Sequence, residues 1–196
     1  MRHASWKSLL ITMVLALVAG APLQAQFARQ YAGLTGGANY SNLSNYGGIN
    51  SDYRWGGTAG IMAGVVTFEY SYVELAPSWS QMGADGAHLD YIDIPLILGG
   101  LVPLGGRSTV GRLYAGVSLA LKVSCKADVT ATCDAAKSSV WGLPVGISIA
   151  HVIGGGRFVG VDARYNVGLS DVFELISVTQ RSWQFRAMFG LPLGGR

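Results

Sequence analysis

The chain has 196 residues, of which 28 are glycine, 50% are hydrophobic and only 13% are charged. Its mean hydropathy of +0.35 excludes a disordered chain, because disorder requires low hydrophobicity and high net charge. The 14 basic and 11 acidic residues give a net charge of +3 without a basic run, so nucleic acid is not an expected partner. A hydrophobic chain with few charges and much glycine is typical of a membrane protein, either helical or β-barrel.

The first 25 residues have the layout of a secretory signal peptide. Arg2 and Lys7 lie in a basic start, residues 9–19 form an apolar run, and Ala25 supplies a small residue at the cleavage position. The apolar run is shorter than the ~20 residues that a spanning helix needs. We therefore predict a signal peptide over residues 1–25 and one mature domain over residues 26–196, with a net charge of +1.

The mature chain lacks an uninterrupted apolar stretch of helical length. Its longest apolar stretch, residues 94–106, contains Pro95 and Pro103, which would break a helix. An exported hydrophobic chain without a spanning helix can cross a membrane only as a closed β-barrel.

Apolar and polar residues alternate with a period of two along eight segments, as strands with one apolar face require. In chain order the predicted strands cover residues 31–42, 57–68, 72–80, 92–99, 112–123, 141–150, 159–167 and 182–191. In the clearest of them, Leu113, Val117 and Leu121 lie on one face, and Arg112 and Lys122 on the other. The fold prediction is an all-β, eight-stranded, antiparallel up-and-down transmembrane barrel. A soluble β-sandwich would need a second layer to cover every apolar face, and a lipocalin-like carrier would need its apolar face inside.

The predicted connections alternate in length. Residues 43–56, 84–88, 124–138 and 170–180 form long or moderate loops, whereas residues 69–71, 104–110 and 154–156 form short turns. Outer-membrane barrels have long outer loops and short periplasmic turns. We therefore expect a bacterial outer-membrane protein with both termini in the periplasm.

Five aromatic residues lie on the apolar face near the predicted outer ends of their strands: Tyr40, Trp79, Trp141, Tyr165 and Trp183. Amphipathic rings prefer the membrane–water interface, so these residues are predicted to form an interfacial girdle.

Charged residues share the opposite, inward parity. Three acids and three arginines are predicted to form a lumen network: Glu74, Asp93, Arg112, Asp162, Arg164 and Arg186, with Lys122 near the outer rim. An eight-stranded barrel is narrow enough for side chains to fill it, and buried charges require partners. The favoured interpretation is a plug of paired charges; the alternative is an ion path or a catalytic acid–base pair.

Catalytic and metal-binding patterns are weak. His3 leaves with the signal peptide, and His151 lies on an apolar face at the periplasmic end of its strand. His88, expected in an outer loop, could act with Ser80 or Ser139 on lipids, but no motif supports this chemistry. Neither His nor Cys clusters as metal ligands do, so no metal or cofactor is predicted.

Cys125 and Cys133 are the only cysteines, and they flank a polar stretch of a predicted loop. Export to an oxidising compartment favours a disulfide between them. The alternatives are two free thiols or, less in keeping with two cysteines without a nearby histidine, a metal site.

Five segments resemble the PorT-like outer-membrane β-barrel domain family. They are GLTGGANYSNLS at 33–44, VELAPSWSQMGA at 73–84, LDYIDIPLIL at 89–98, LYAGVSLAL at 113–121 and VDARYNVGLSD at 161–171. The resemblance covers nearly the whole mature chain and implies a barrel type rather than a reaction. One departure is the C-terminus, where residues 190–196 follow Phe189, whereas outer-membrane barrels usually finish on an aromatic residue that the assembly machinery reads.

The functional prediction is a monomeric, non-enzymatic outer-membrane protein with a structural, adhesive or surface-recognition role through its outer loops. Its expected partners are outer-membrane lipids and the barrel-assembly machinery; the sequence names no extracellular ligand. The rivals are a barrel enzyme that acts on lipid A or phospholipid, and a small pore.

Overall fold

The computed structural model describes residues 28–45, 53–68, 70–84, 87–104, 108–127, 133, 136–172 and 178–193. The predicted signal peptide lies outside these residues. Nine strands occur in the described ranges: β1 Gln30–Asn45, β2 Arg54–Phe68, β3 Ser71–Leu75, β4 Ser78–Ala84, β5 Ala87–Pro103, β6 Thr109–Ala127, β7 Ser139–Gly154, β8 Arg157–Gly168 and β9 Val178–Pro192. No helix in these ranges has the length and hydropathy needed to cross a membrane.

The strands form one closed antiparallel sheet. β1 pairs with β2 on one side and with β9 on the other, which closes the ring. β3 and β4 occupy a single position in the ring, because both pair with β2 and both pair with β5. The predicted eight-stranded up-and-down barrel is therefore confirmed, with its third strand in two pieces.

The break in the third strand falls at Pro77. Pro77 has no N–H to donate to the ladder, and Pro95 of β5 lies beside Ala76 at the same place, so the ladder lacks donors from both strands there. The strand that the alternation over 72–80 predicts is therefore interrupted, whereas Pro95 and Pro144 leave β5 and β7 unbroken. Leu75 pairs with Leu96 and Ser78 pairs with Asp93, so the register continues across the break. The inward and outward parity of the strand is thus preserved.

The two ends of the barrel differ. Gln30, Pro192 and the short connections 69–70, 104–108 and 155–156 lie at one end, which we call the turn end. The opposite loop end carries connections 46–53, 85–86, 128–138 and 169–177. β5 and β6 pair as far as Ala87 and Ala127, further towards the loop end than predicted. His88 therefore lies on a strand rather than in a loop.

Alternate side chains point into and away from the barrel. The outward side chains of the middle of the wall are apolar and exposed, among them Leu34, Ile61, Leu98, Leu113, Val117, Ile147, Val161 and Phe185. An exposed apolar surface of this extent is unfavourable in water and matches the hydrocarbon of a membrane. This arrangement is the reverse of that in a soluble lipocalin-like carrier.

Candidate functional site

The barrel interior has three layers along its axis. The turn-end cluster is apolar and includes Tyr31, Met62, Tyr72, Ile97, Leu101, Val110, Tyr114, Phe158 and Met188. The loop-end cluster is also apolar and contains Leu43, Met82, Leu89, Tyr91, Ala120, Ala136, Val140, Val172 and Val178. Between them lies a belt of polar and charged side chains, the polar belt.

The six charged residues predicted for the lumen all lie in the polar belt. Their exposed fractions are 4% for Glu74, 2% for Asp93, 2% for Arg112, 5% for Asp162, 0% for Arg164 and 4% for Arg186. The strand alternation alone places them inside, because each occupies the parity opposite to the lipid-facing side chains. Three carboxylates and three guanidinium groups leave this set without net charge.

The first ion pair joins Arg112 to Glu74. Arg112 Nη2 donates to Glu74 Oε2 at 2.5 Å, and the Tyr31 hydroxyl donates to the same oxygen at 2.7 Å. The guanidinium carbon of Arg112 lies 4.3 Å from the ring centroid of Tyr72, a cation–π contact. Two tyrosines thus hold the pair in place.

The second ion pair joins Arg186 to Asp162. Arg186 donates through Nε and Nη2 to Asp162 Oδ1 at 2.9 and 2.5 Å, and the Tyr114 hydroxyl donates to Oδ2 at 2.6 Å. Arg164 Nε donates to the Tyr114 hydroxyl oxygen at 3.2 Å. Arg164 therefore reaches Asp162 only through the tyrosine. Among the described residues, Asp93 and Arg164 make no direct ion pair.

Three inward tyrosines that contact the buried charges, Tyr31, Tyr72 and Tyr114, were missed by the search for charges. Each lies opposite an inward glycine of the neighbouring strand: Tyr31 opposite Gly64, Tyr72 opposite Gly99 and Tyr114 opposite Gly146. A Cβ at any of these glycines would lie 2.4 Å from the tyrosine side chain. The shared inward parity of tyrosine and glycine is the sequence signal that could have identified them.

The residues considered for catalysis are not brought together. Ser80 points into the barrel, where its hydroxyl lies 2.9 Å from that of Thr58, whereas His88 is exposed. His88 of β5 and Ser139 of β7 lie on opposite sides of β6, where they pair with Lys126 and Leu121 respectively. These two positions are roughly 16 Å apart along an extended strand, so His88 and Ser139 are well separated.

The remaining histidine and the metal-ligating residue types add no reactive centre. His151 is exposed at the turn end, where its Nδ1 lies 3.0 Å from the Thr109 hydroxyl. Within the described ranges, no three His, Cys, Asp or Glu side chains are placed to hold a metal ion.

The five predicted girdle residues lie in the outward-facing rows of the loop-end half of the wall. Tyr40 packs with two further aromatic residues, because its ring centroid lies 4.5 Å from that of Tyr53 and 4.7 Å from that of Trp55. Tyr165 and Trp183 lie 4.7 Å apart. Tyr53 and Trp55 were missed because the sequence pattern placed them in the first long loop.

Described residues of two loop-end connections pack against the interior; we call Cys133, Ala136 and Val172 the cover. Cys125 at the end of β6 is joined to Cys133 by a disulfide. Lys122 Nζ donates to the carbonyl oxygens of Cys133 and Ala136, and the Lys137 backbone N–H donates to the Val172 carbonyl at 2.8 Å. Since Ala136 and Val172 belong to the loop-end cluster, these bonds hold the cover over the interior.

Comparison with solved structures identifies the fold. Neisserial surface protein A is 16% identical, with a TM-score of 0.52 over 85% of this chain and 98% of that chain. The outer membrane protein OprG from Pseudomonas aeruginosa is 11% identical, with a TM-score of 0.53 over 87% and 99%. At these identities the likeness shows the fold alone, which is that of small outer-membrane β-barrels. The outer membrane enzyme PagL is less similar, with a TM-score of 0.49, 12% identity and coverage of 84% and 99%.

Searches by sequence give no match: no family model and no curated protein is similar to this chain.

Proposed function

We propose that this chain is a non-conducting, non-catalytic integral protein of a bacterial outer membrane, of the PorT-like kind, that presents its loop end at the cell surface for recognition or adhesion. Both termini then lie in the periplasm. The observation that carries the proposal is the filled interior: an electrically balanced polar belt lies between two apolar clusters.

A filled interior disfavours a pore. A conducting pore keeps the charges that line it in contact with water, whereas the six belt charges are at most 5% exposed. Any hydrated ion would also have to cross two apolar clusters, and losing its hydration water there costs a large free energy. The separation of Ser80 and Ser139 from His88 likewise disfavours the lipid-cleaving enzyme.

The loop end is the surface best prepared for binding. The disulfide between Cys125 and Cys133 and the bonds from Lys122 restrain the chain around the β6–β7 connection. A segment that is already restrained loses less conformational entropy when it binds a partner. The lipid-facing wall offers no comparable restrained polar surface.

Conductance tests the closed interior. The full chain, refolded into planar bilayers, should give no discrete current steps. A control with Glu74→Ser and Arg112→Ser, which removes two large side chains from the belt, should increase ion leakage if the interior is the barrier. Regular current steps from the unmodified protein would contradict the proposal.

Surface binding tests the role of the loop end. Bacteria that display the protein should adhere to wells coated with extracellular-matrix proteins or sulfated glycans better than bacteria displaying a variant whose residues 128–132 are replaced by Gly and Ser. The loop variant and the unmodified protein should reach the surface in equal amounts, as measured by an epitope tag that both carry in residues 46–52. Equal adhesion by both strains on every coating would contradict the recognition role. In a separate assay, release of acyl chains when the folded protein is incubated with lipid A would favour the enzyme.

A further inference from the structure

Asp93 and Arg164 are the two charges of the polar belt that have no ion-pair partner among the described contacts. Asp93 is 2% exposed and Arg164 is fully buried. Asp93 Oδ2 and both terminal nitrogens of Arg164 also lack a hydrogen-bond partner within the protein. Arg164 Nε donates to Tyr114, and Asp93 bonds to the Ser118 side chain, so each group is satisfied only in part. Buried polar atoms of a charged group that have no hydrogen-bond partner are unfavourable, so the remaining atoms require an explanation.

A small cavity lies beside Asp93, between the polar belt and the loop-end cluster. Its lining includes the polar side chains of Asp93, Ser118, Asn166, Gln180 and Ser182, and its volume is about 30 Å³. The amide atoms of Asn166, Gln180 Nε2 and the Ser182 hydroxyl are likewise buried without a protein partner. Donors and acceptors of several strands therefore converge on one space, which we call the belt chamber.

The volume and the charges together restrict what the belt chamber can hold. A water molecule needs at least about 10–15 Å³ by this measure, so the chamber has room for about two waters. The carboxylate of Asp93 disfavours a small anion. Arg164 and Arg186, the electrostatic neighbours of Asp93, disfavour a cation. A small neutral molecule that both donates and accepts hydrogen bonds meets every requirement.

We propose that the belt chamber is a buried water site, and that its waters join the Asp93 carboxylate to the terminal N–H groups of Arg164. Asn166 lines the chamber, and Arg164 is the next inward residue of β8 towards the turn end. A short chain of waters can therefore extend from the chamber to Arg164. The three acids and three arginines then form two direct ion pairs and one that is separated by solvent. The loop-end cluster, through Val172, covers this site.

A structure of the full chain at high resolution tests the site directly. We expect one or two ordered waters at about 2.7–3.2 Å from Asp93 Oδ2, linked by hydrogen bonds to Arg164. A direct contact between Asp93 and Arg164, a dry chamber, or density for a different molecule would overturn the proposal.

A double-mutant cycle tests the coupling in solution. Asp93→Asn and Arg164→Gln should each lower the urea midpoint of unfolding in lipid vesicles, and the double variant should lower it by less than the sum of the two. Asp162→Asn with Arg186→Gln provides the directly bonded control and should show a larger coupling. Additive shifts for Asp93 and Arg164 would contradict a water-mediated link, whether or not crystals are obtained.

Discussion

Inward tyrosines connect the glycine-rich wall to the buried charges. Tyr31 and Tyr114 donate to the carboxylates of Glu74 and Asp162, and each ring lies across the glycine opposite it. A side chain in place of that glycine would occupy the position of the ring. The glycines therefore create the slots in which the tyrosines reach the carboxylates, so a change in the wall should disturb the charge network.

Gly64→Ala tests this dependence. The new Cβ would lie 2.4 Å from the Tyr31 hydroxyl, so the ring must move away from Glu74. We expect a loss of roughly 1–3 kcal/mol in the free energy of unfolding, the usual cost of overpacking. Urea titration in lipid vesicles, followed by tryptophan fluorescence, measures it.

Gly36→Ala is the matched control. Gly36 lies on β1 in the outward-facing row, and its Cβ would lie 3.8 Å from the nearest atom, a backbone oxygen. The free energy of unfolding of the Gly36→Ala variant should differ from that of the unmodified protein by less than about 0.5 kcal/mol. Equal losses in the two variants would show that the tyrosine slot does not matter.

Arg112→Met tests the ion pair itself. Removing the guanidinium leaves Glu74 buried without its counter-charge, which should cost roughly 3–5 kcal/mol. Adding Glu74→Gln removes that charge and should recover part of the loss. Arg181→Met, on the exposed side of β9, controls for the loss of an arginine. If the double variant is no more stable than Arg112→Met, Glu74 does not require its partner.

At the scale of the element, β6 organises the loop end. Its inward side chains supply Arg112 to the belt and Tyr114 to the turn-end cluster. Its last residues carry Lys122 and Cys125, which bond to the cover. The long pairing with β5 extends this strand beyond its predicted end, which places Cys125 on a strand. The cover is therefore anchored to the wall by both covalent and hydrogen bonds.

The disulfide should be detectable by thiol labelling. Alkylation of the folded, unreduced protein should label no cysteine, and labelling after reduction should reveal two. Closing the segment between Cys125 and Cys133 should contribute on the order of 2–3 kcal/mol by restricting the unfolded chain. Reduction should therefore lower the urea midpoint, whereas two labelled cysteines per unreduced chain would contradict the bond.

At the scale of the whole molecule, the barrel is polar inside and apolar outside. The wall needs no second layer because lipid covers its outward face. A charge placed on this face should therefore be costly in proportion to its depth. The outward-facing Arg181 and His151 agree with this, because both lie near the ends of their strands, close to the membrane–water interface.

Val117→Arg should cost roughly 2–4 kcal/mol, because Val117 lies outward near the middle of β6. Val123→Arg, on the same face near the loop end, should cost only about 0–1 kcal/mol. Refolding equilibria in lipid vesicles measure both variants. Equal costs at the two depths would contradict the position of this strand in the membrane.

The alternation of apolar and polar residues was enough to predict the barrel, its eight strand positions, and the side of the wall on which each of the six charges lies. This information is local, because the period of a strand is two residues and a closed barrel has one lipid face. The positions of Arg112 and Leu113 on opposite faces can be read without knowing which strand lies beside them. The interruption at Pro77 could not be read from the sequence in the same way, because Pro95 and Pro144 leave their strands unbroken.

Only the tertiary structure decided which charges meet. Glu74 and Arg112 are 38 residues apart, and their pairing depends on the stagger of the strands around the ring and on the direction of long side chains across the lumen. The same geometry leaves Asp93 and Arg164 without a direct ion pair. It also sets Tyr31, Tyr72 and Tyr114 each over a glycine of the neighbouring strand. Parity along one strand fixes a side of the wall but carries no information on depth relative to another strand, because depth depends on the register of every pair between them.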